Sequence, residues 1–145
     1  FRVRFGDLSG EAALNELLSL TTHPSRLSRV EAARSLAALT EAVQKDVLFA
    51  LGLSLAQDAD DIVRAAAARF LPRLAPALTN SQRAILGQRM ASLLAEPGET
   101  VPLAGLHGIN DARAARLDLA SRVRKPLKDL RHHPSARVRL VARAT

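Results

Sequence analysis

The sequence predicts an all-α fold, an α-solenoid of about four helix pairs behind a short extended N-terminal tail. Three observations carry that prediction. One segment recurs: His23 to Leu39 (HPSRLSRVEAARSLAAL) aligns without a gap to Asp58 to Leu74 (DADDIVRAAAARFLPRL) and to Glu96 to Ala112 (EPGETVPLAGLHGINDA). His133 to Thr145 (HPSARVRLVARAT) begins a fourth copy, and the starts lie 35, 38 and 37 residues apart (58 − 23, 96 − 58, 133 − 96). That period belongs to stacked helix pairs. Ala and Leu dominate the apolar content while aromatics are scarce, with four Phe and neither Tyr nor Trp. Such a mix suits closely packed helices and is poor for strands. Finally, the apolar residues of each copy fall at helical spacing. Numbered from Ser28, Val63, Val101 and Val138, positions 1, 5, 9 and 12 read Ser28/Ala32/Leu36/Leu39, Val63/Ala67/Leu71/Leu74 and Val101/Gly105/Ile109/Ala112. This is one core-facing stripe, and its small residues at position 5 let neighbouring helices approach closely.

The elements follow in order. Phe1 to Phe5 alternates apolar and basic residues, a strand pattern that Gly6-Asp7 breaks. Residues 1–8 are therefore read as an extended tail or the end of a preceding domain, and 9–145 as the helical domain. Its pairs fall at about 9–40, 41–75, 79–110 and 112–145. Ser9 is a good N-cap for a first helix ending near Thr22, with Leu14, Leu17 and Leu18 at helical spacing. Pro24 makes the turn, because proline disfavours helix at the residue before it, and the partner helix runs to Leu39. Thr40-Glu41 opens the next helix, expected to reach Gln57 with Val43, Val47, Leu48, Leu51 and Leu55 on one side. Asp58, Asp60 and Asp61 cluster at the start of its partner, where carboxylates favour the positive end of the helix dipole. Pro72 and Pro76 end or kink that helix. Asn80-Ser81 starts the third pair, with Ile85, Leu86, Met90, Leu93 and Leu94 apolar, and Pro97-Gly98 turns into its second helix. That helix, Val101 to Asn110, is expected to be the weakest, since it holds Pro102, Gly105 and Gly108 and each Gly costs about 1 kcal/mol against Ala. A last long helix is expected over Ala112 to Leu130, bent at Pro126, before His133-Pro134-Ser135 turns into the fourth copy. Val138 and Ala142 are expected to lack a following pair to cover them, which leaves an end open to self-association or to a continuing solenoid.

Composition narrows the function. At 145 residues the chain fits one domain. With no Cys there is no disulfide framework, thiolate nucleophile or Cys-ligated zinc site, and a cytoplasmic location is expected. The longest apolar run, Val47 to Ala56, falls well short of the ~18 residues of a membrane span. No signal peptide is visible, and a first residue of Phe suggests a fragment or a processed form. The net charge is +7, and all of the excess sits in the last third. Residues 101–145 carry ten basic side chains, Arg113, Arg116, Arg122, Arg124, Lys125, Lys128, Arg131, Arg137, Arg139 and Arg143, against Asp111, Asp118 and Asp129. Within that group Arg122, Arg124, Lys125, Lys128 and Arg131 are the candidate anion-binding residues. The plainer reading is a solvated Arg-rich surface whose stems cover the helices.

The turn followed by V-R and an A-A-x-x-L run resembles the HEAT-repeat family, close to its bacterial version, the HEAT-like or bilin-lyase-type repeats. Asp58 to Arg64 with Ala66-Ala67-Ala68-Arg69-Phe70-Leu71 carries the match best; the first copy has Ser28 in place of Val, and the third replaces the Arg by Pro102. The resemblance covers nearly everything after the tail and implies a right-handed superhelix. It implies that the position-2 arginines Arg29, Arg64 and Arg139 form a structural ladder with acidic residues of neighbouring copies. It also implies that the second helices line a concave groove, so that Arg34, Arg69, Arg73 and His107 face a partner there; the plainer reading of all four is solvated scaffold.

Catalytic signatures are missing: the sequence contains no Walker A loop, GxGxxG, HExxH or GxSxG. His23 and His133 occupy equivalent turn positions before Pro, and His132-His133 has no second ligand cluster at metal spacing. Asp58, Asp60 and Asp61 lack the EF-hand pattern. No cofactor, metal or enzymatic activity is expected. The expected function is a binding scaffold holding a protein segment in its groove, with Arg pairing to partner carboxylates. The alternative is nucleic-acid binding through the phosphate backbone. The resemblance extends to alkylpurine DNA glycosylases, which use Trp or Tyr beside a catalytic Asp, residues this chain does not offer. A bilin-lyase role comes last, for want of a chromophore site. Basic residues clustered along the concave face would favour nucleic acid; scattered ones would favour a protein partner.

Overall fold

Ser9 caps the first helix, its Oγ accepting from the Ala12 N–H at 3.3 Å, and α1 runs Gly10–Thr21. The computed structural model describes residues 9–112, 119 and 121–145; the extended tail expected at 1–8 and most of the stretch before Ser121 lie outside the described residues. The remaining helices are α2 (Arg26–Ser35), α3 (Lys45–Leu55), α4 (Asp61–Phe70), α5 (Asn80–Leu94), α6 (Thr100–Asp111), α7 (Arg124–Leu130) and α8 (Ala136–Ala144). Tight 3₁₀ segments follow α2 (Leu36–Leu39) and α4 (Leu71–Ala77). The regular elements of the described residues are all helices, and these residues contain no strand.

Each odd-numbered helix packs against the even-numbered helix that follows it. The even-numbered helices also pack in succession, α2 on α4, α4 on α6 and α6 on α8. The aligned apolar stripe forms their common core. Ala32, Leu36, Val63, Ala67, Leu71 and Ile109 are fully buried, and Leu39, Leu74 and Val101 nearly so; Ser28 is half-buried. Removing this apolar surface from water is the main force holding the helices together.

Local chemistry sets the helix boundaries. Thr79 and Gln82 form a reciprocal capping box at the start of α5. Asp60 caps α4 by accepting from the Ile62 N–H at 2.9 Å. Gly98 takes a left-handed φ of +87° in the turn before α6, a conformation that favours glycine.

Four expectations change. The second pair's first helix begins at Lys45 rather than Thr40. The N–H groups of Ala42 and Val43 both turn back onto the Leu39 carbonyl, and Gln44 is extended, so the helix starts only after this loop. The third pair's second helix, α6, runs unbroken over Thr100–Asp111, one residue further at each end than the Val101 to Asn110 expected. Pro102 falls in its first turn, where a missing N–H costs no intrahelical bond. Gly108 has a packing role: a Cβ there would collide with the Ala68 carbonyl oxygen and lie 2.8 Å from that of Arg69. Its bare backbone lets α6 sit directly on α4. In place of the bend expected at Pro126 there is a break at Val123. Pro126 cannot donate to the Arg122 carbonyl and its ring crowds that group, so the chain restarts its helix just upstream. Finally, Val138 and Ala142 are 0% and 1% exposed. The chain itself covers both; the large apolar residue that α8 exposes is Leu140.

Candidate functional site

Arginines occupy both ends of α2 and α4. At the N-terminal ends, Arg29 and Arg64 reach the turns of the next pair. Arg29 donates from Nε to Asp58 at 2.9 Å and from Nη2 to its other oxygen at 3.3 Å. Its Nη1 donates to the carbonyls of His23 and Pro24. Arg64 repeats the pattern, gripping Glu96 at 2.9–3.2 Å and the carbonyls of Asp58 and Ala59. Glu96 in turn raises the Arg64 pKa above its ordinary value. Arg26 adds a salt bridge to Asp60 at 2.6 Å, and that guanidinium holds the Asp60 carboxyl below the usual aspartate range. Arg139, at the corresponding place in α8, donates from Nη1 to the carbonyls of His133 and Pro134. The two turn histidines act as acceptors: His23 Nδ1 takes the Ser25 N–H at 2.9 Å and His133 Nδ1 the Ser135 N–H at 3.0 Å.

At the C-terminal ends the arrangement differs. Arg34 and Arg69 lie in the last turns of α2 and α4, where a cation favours the negative end of the helix dipole. Arg73 follows Arg69 by four residues in the 3₁₀ segment. All three guanidiniums gather over one ring, with Cζ 5.8 Å (Arg34), 5.9 Å (Arg69) and 5.1 Å (Arg73) from the Phe70 centroid. These distances fall within cation–π range. Their ion pairs are loose: Arg34 to Glu31 at 3.7 Å, and Arg69 and Arg73 to a shared Asp111 at 3.6 and 3.9 Å. The three side chains are 44–52% exposed, so each keeps N–H groups available to an incoming acceptor. Three guanidiniums face two carboxylates, leaving an excess positive charge around an aromatic face.

The sequence pointed to Arg34, Arg69 and Arg73, and the fold brings them together. His107 occupies the corresponding place on α6 but is half-buried and takes no part in the ring contacts. Phe70 and Asp111 were missed. A rare Phe beside Arg69 and an Asp one turn after His107 were the available signals.

The five basic residues 122–131 do not form one surface. Arg124, Lys128 and Arg131, at i, i+4 and i+7, share a shallow recess with Leu127 and Thr145. Lys125 points elsewhere, paired with Asp129 at 3.6 Å, and the Arg122 stem lies against Gly87 of α5. Arg137 pairs with Glu99 at 3.0 Å, and Arg113 and Arg116 lie outside the described residues. Among the described residues no group of three His, Cys, Asp or Glu is placed to hold a metal ion. No described helix is long and apolar enough to cross a membrane. Comparison with protein-family models, with curated proteins and with solved structures finds no match in any of the three.

Proposed function

We propose that this chain is a non-enzymatic interaction module, a HEAT-like helical solenoid whose second helices carry the binding face. The succession of α2, α4, α6 and α8 supports the solenoid reading. The observation that carries the binding reading is the half-exposed trio Arg34, Arg69 and Arg73 around Phe70. The partner is a protein segment bearing carboxylates. Its acidic groups take charge-assisted hydrogen bonds from the guanidiniums and displace the loosely held Asp111. Arginine and aromatic anchors of this kind dominate binding energy at protein interfaces. The module acts in the cytoplasm.

Fluorescence polarisation with labelled acidic peptides, and basic peptides of equal length as controls, tests this. Saturable binding of the acidic set, weakened by salt and lost about tenfold in an Arg69→Ala/Arg73→Ala variant, is expected. Equal binding of both sets would contradict it.

One observation favours a second reading. The recess of Arg124, Lys128 and Arg131 suits a phosphate, and backbone contacts there would make the module a nucleic-acid binder. The dispersal of the other basic residues weighs against it. Duplex DNA titrated at two salt concentrations separates the readings, because phosphate-backbone binding strengthens steeply at low salt.

A further inference from the structure

The outer face of α8 is built to receive a carboxylate, and we propose that it docks a further helix pair whose connecting turn begins with an acidic residue. The inference starts from Arg139. In Arg29 and Arg64 the guanidinium is divided between two jobs. Nη1 holds two carbonyls of its own turn, while Nε and Nη2 grip the carboxylate that opens the next turn. Arg139 performs the first job with the same geometry, at 2.7 Å to the His133 carbonyl and 2.9 Å to that of Pro134. Among the described residues no acceptor meets its Nε or Nη2. That edge is oriented and lacks only its partner.

The third copy acts as an internal control. Pro102 stands where the other copies have arginine, and the residue opening the following turn is then His133, not an acid. Its Nε2 lies 2.8 Å from the Gly98 carbonyl oxygen and bridges the two turns without a guanidinium. A carboxylate is thus found opposite the arginines of α2 and α4, and an imidazole where the arginine is gone. Arg139 calls for the carboxylate.

A second, independent observation lies on the same face. Leu140 is 71% exposed. The corresponding residues of the preceding copies are covered: Ala65 is buried, and Val30 and Leu103 pack against the core. Arg143 refines the chemistry of the occupant. It stands at the place of Ala33, Ala68 and Leu106, each 0% exposed. The docked pair therefore presents an apolar patch to Leu140 and acidic groups to both Arg139 and Arg143. A second copy of this chain fits poorly. Its first turn opens with His23, and its turn carboxylates Asp58 and Glu96 are already held by Arg29 and Arg64.

The chain's own sequence supplies the test. Thr145 aligns with Phe70, so a copy of residues 71–111 fused directly after Thr145 brings the copied Glu96 opposite Arg139, as Glu96 stands opposite Arg64. Both the fused chain and its unfused reference carry Arg143→Ala, which restores the small residue found at Ala68. Amide hydrogen exchange in α8 is expected to slow about tenfold or more in the fused chain, the scale of one hydrogen bond to a charged group plus renewed burial. Replacing the copied Glu96 by Gln is expected to reverse most of that gain while the fused helices persist by circular dichroism. Three outcomes overturn the proposal: unchanged α8 exchange beside a folded fusion, a fusion that stays unfolded, or a gain indifferent to Glu→Gln. Sedimentation of the natural chain as a dimer that Leu140→Glu disperses would also overturn it, by assigning the face to self-association.

Discussion

Helices α2 and α4 each carry an arginine near both ends, and the two ends use them in opposite ways. At the turn edge, Arg29 and Arg64 are 18% and 23% exposed and hold their carboxylates through paired hydrogen bonds of 2.9–3.3 Å. At the other edge, Arg34 and Arg69 are 52% and 47% exposed and meet their carboxylates only at 3.7 and 3.6 Å. The residue type is the same, so the difference is one of surroundings. A guanidinium whose donors are spent on a neighbouring turn fixes how successive helix pairs sit. One held loosely over an aromatic ring keeps donors free for a partner.

The largest effect is expected from breaking the turn edge. Arg64→Ala removes the grip on Glu96 together with two carbonyl contacts. It should lower unfolding free energy by about 2 kcal/mol in urea denaturation, as charge-assisted, partly buried bonds do. Asp58→Asn sharpens the point. It keeps an acceptor for the Asp60 N–H while removing the charge that Arg29 holds. A smaller loss of about 1 kcal/mol is expected in the same assay. At the other edge, Arg69→Ala/Arg73→Ala should leave stability within about 0.5 kcal/mol, because exposed and loosely paired charges contribute little.

The smallest expected effect is that of pH. Arg26 holds the Asp60 pKa below its unfolded value, so the pair's contribution is fully present above the ordinary aspartate pKa. It is lost as pH falls through the lowered folded value. The stability difference between the natural chain and Asp60→Asn should stay flat from neutral pH to about pH 5 and then shrink toward zero on further acidification. The raised pKa of Arg64 works in the other direction. Its contribution is present below the ordinary arginine value and is lost only as pH rises through the raised folded value.

Much of this was legible because helical periodicity and burial coincide. The stripe from Ala32 to Ala112 could be read residue by residue, and it is the core. The cap at Ser9 and the acidic start of α4 were visible because their chemistry is local; which of the three aspartates caps α4 was not. What escaped depends on contacts between segments distant in sequence. Gly105 and Gly108 look like helix weakeners until α6 is seen to need a bare backbone at Gly108 against α4. Phe70 and Asp111, 41 residues apart (111 − 70), meet the same guanidiniums only because α4 and α6 stack. The cationic last third looks like one surface in composition. In space the periodicity of α7 sends Arg124 and Lys128 one way and Lys125 another.

The division of labour between the two edges is tested most directly by a single acidic-peptide titration, followed by fluorescence polarisation, on three chains side by side. These are the natural chain, Arg69→Ala/Arg73→Ala and Arg26→Ala, the last removing an exposed arginine from the turn edge. The predicted result is an affinity about tenfold weaker for the double variant alone, with Arg26→Ala binding like the natural chain. Equal affinity across all three, or equal losses in both variants, would contradict it.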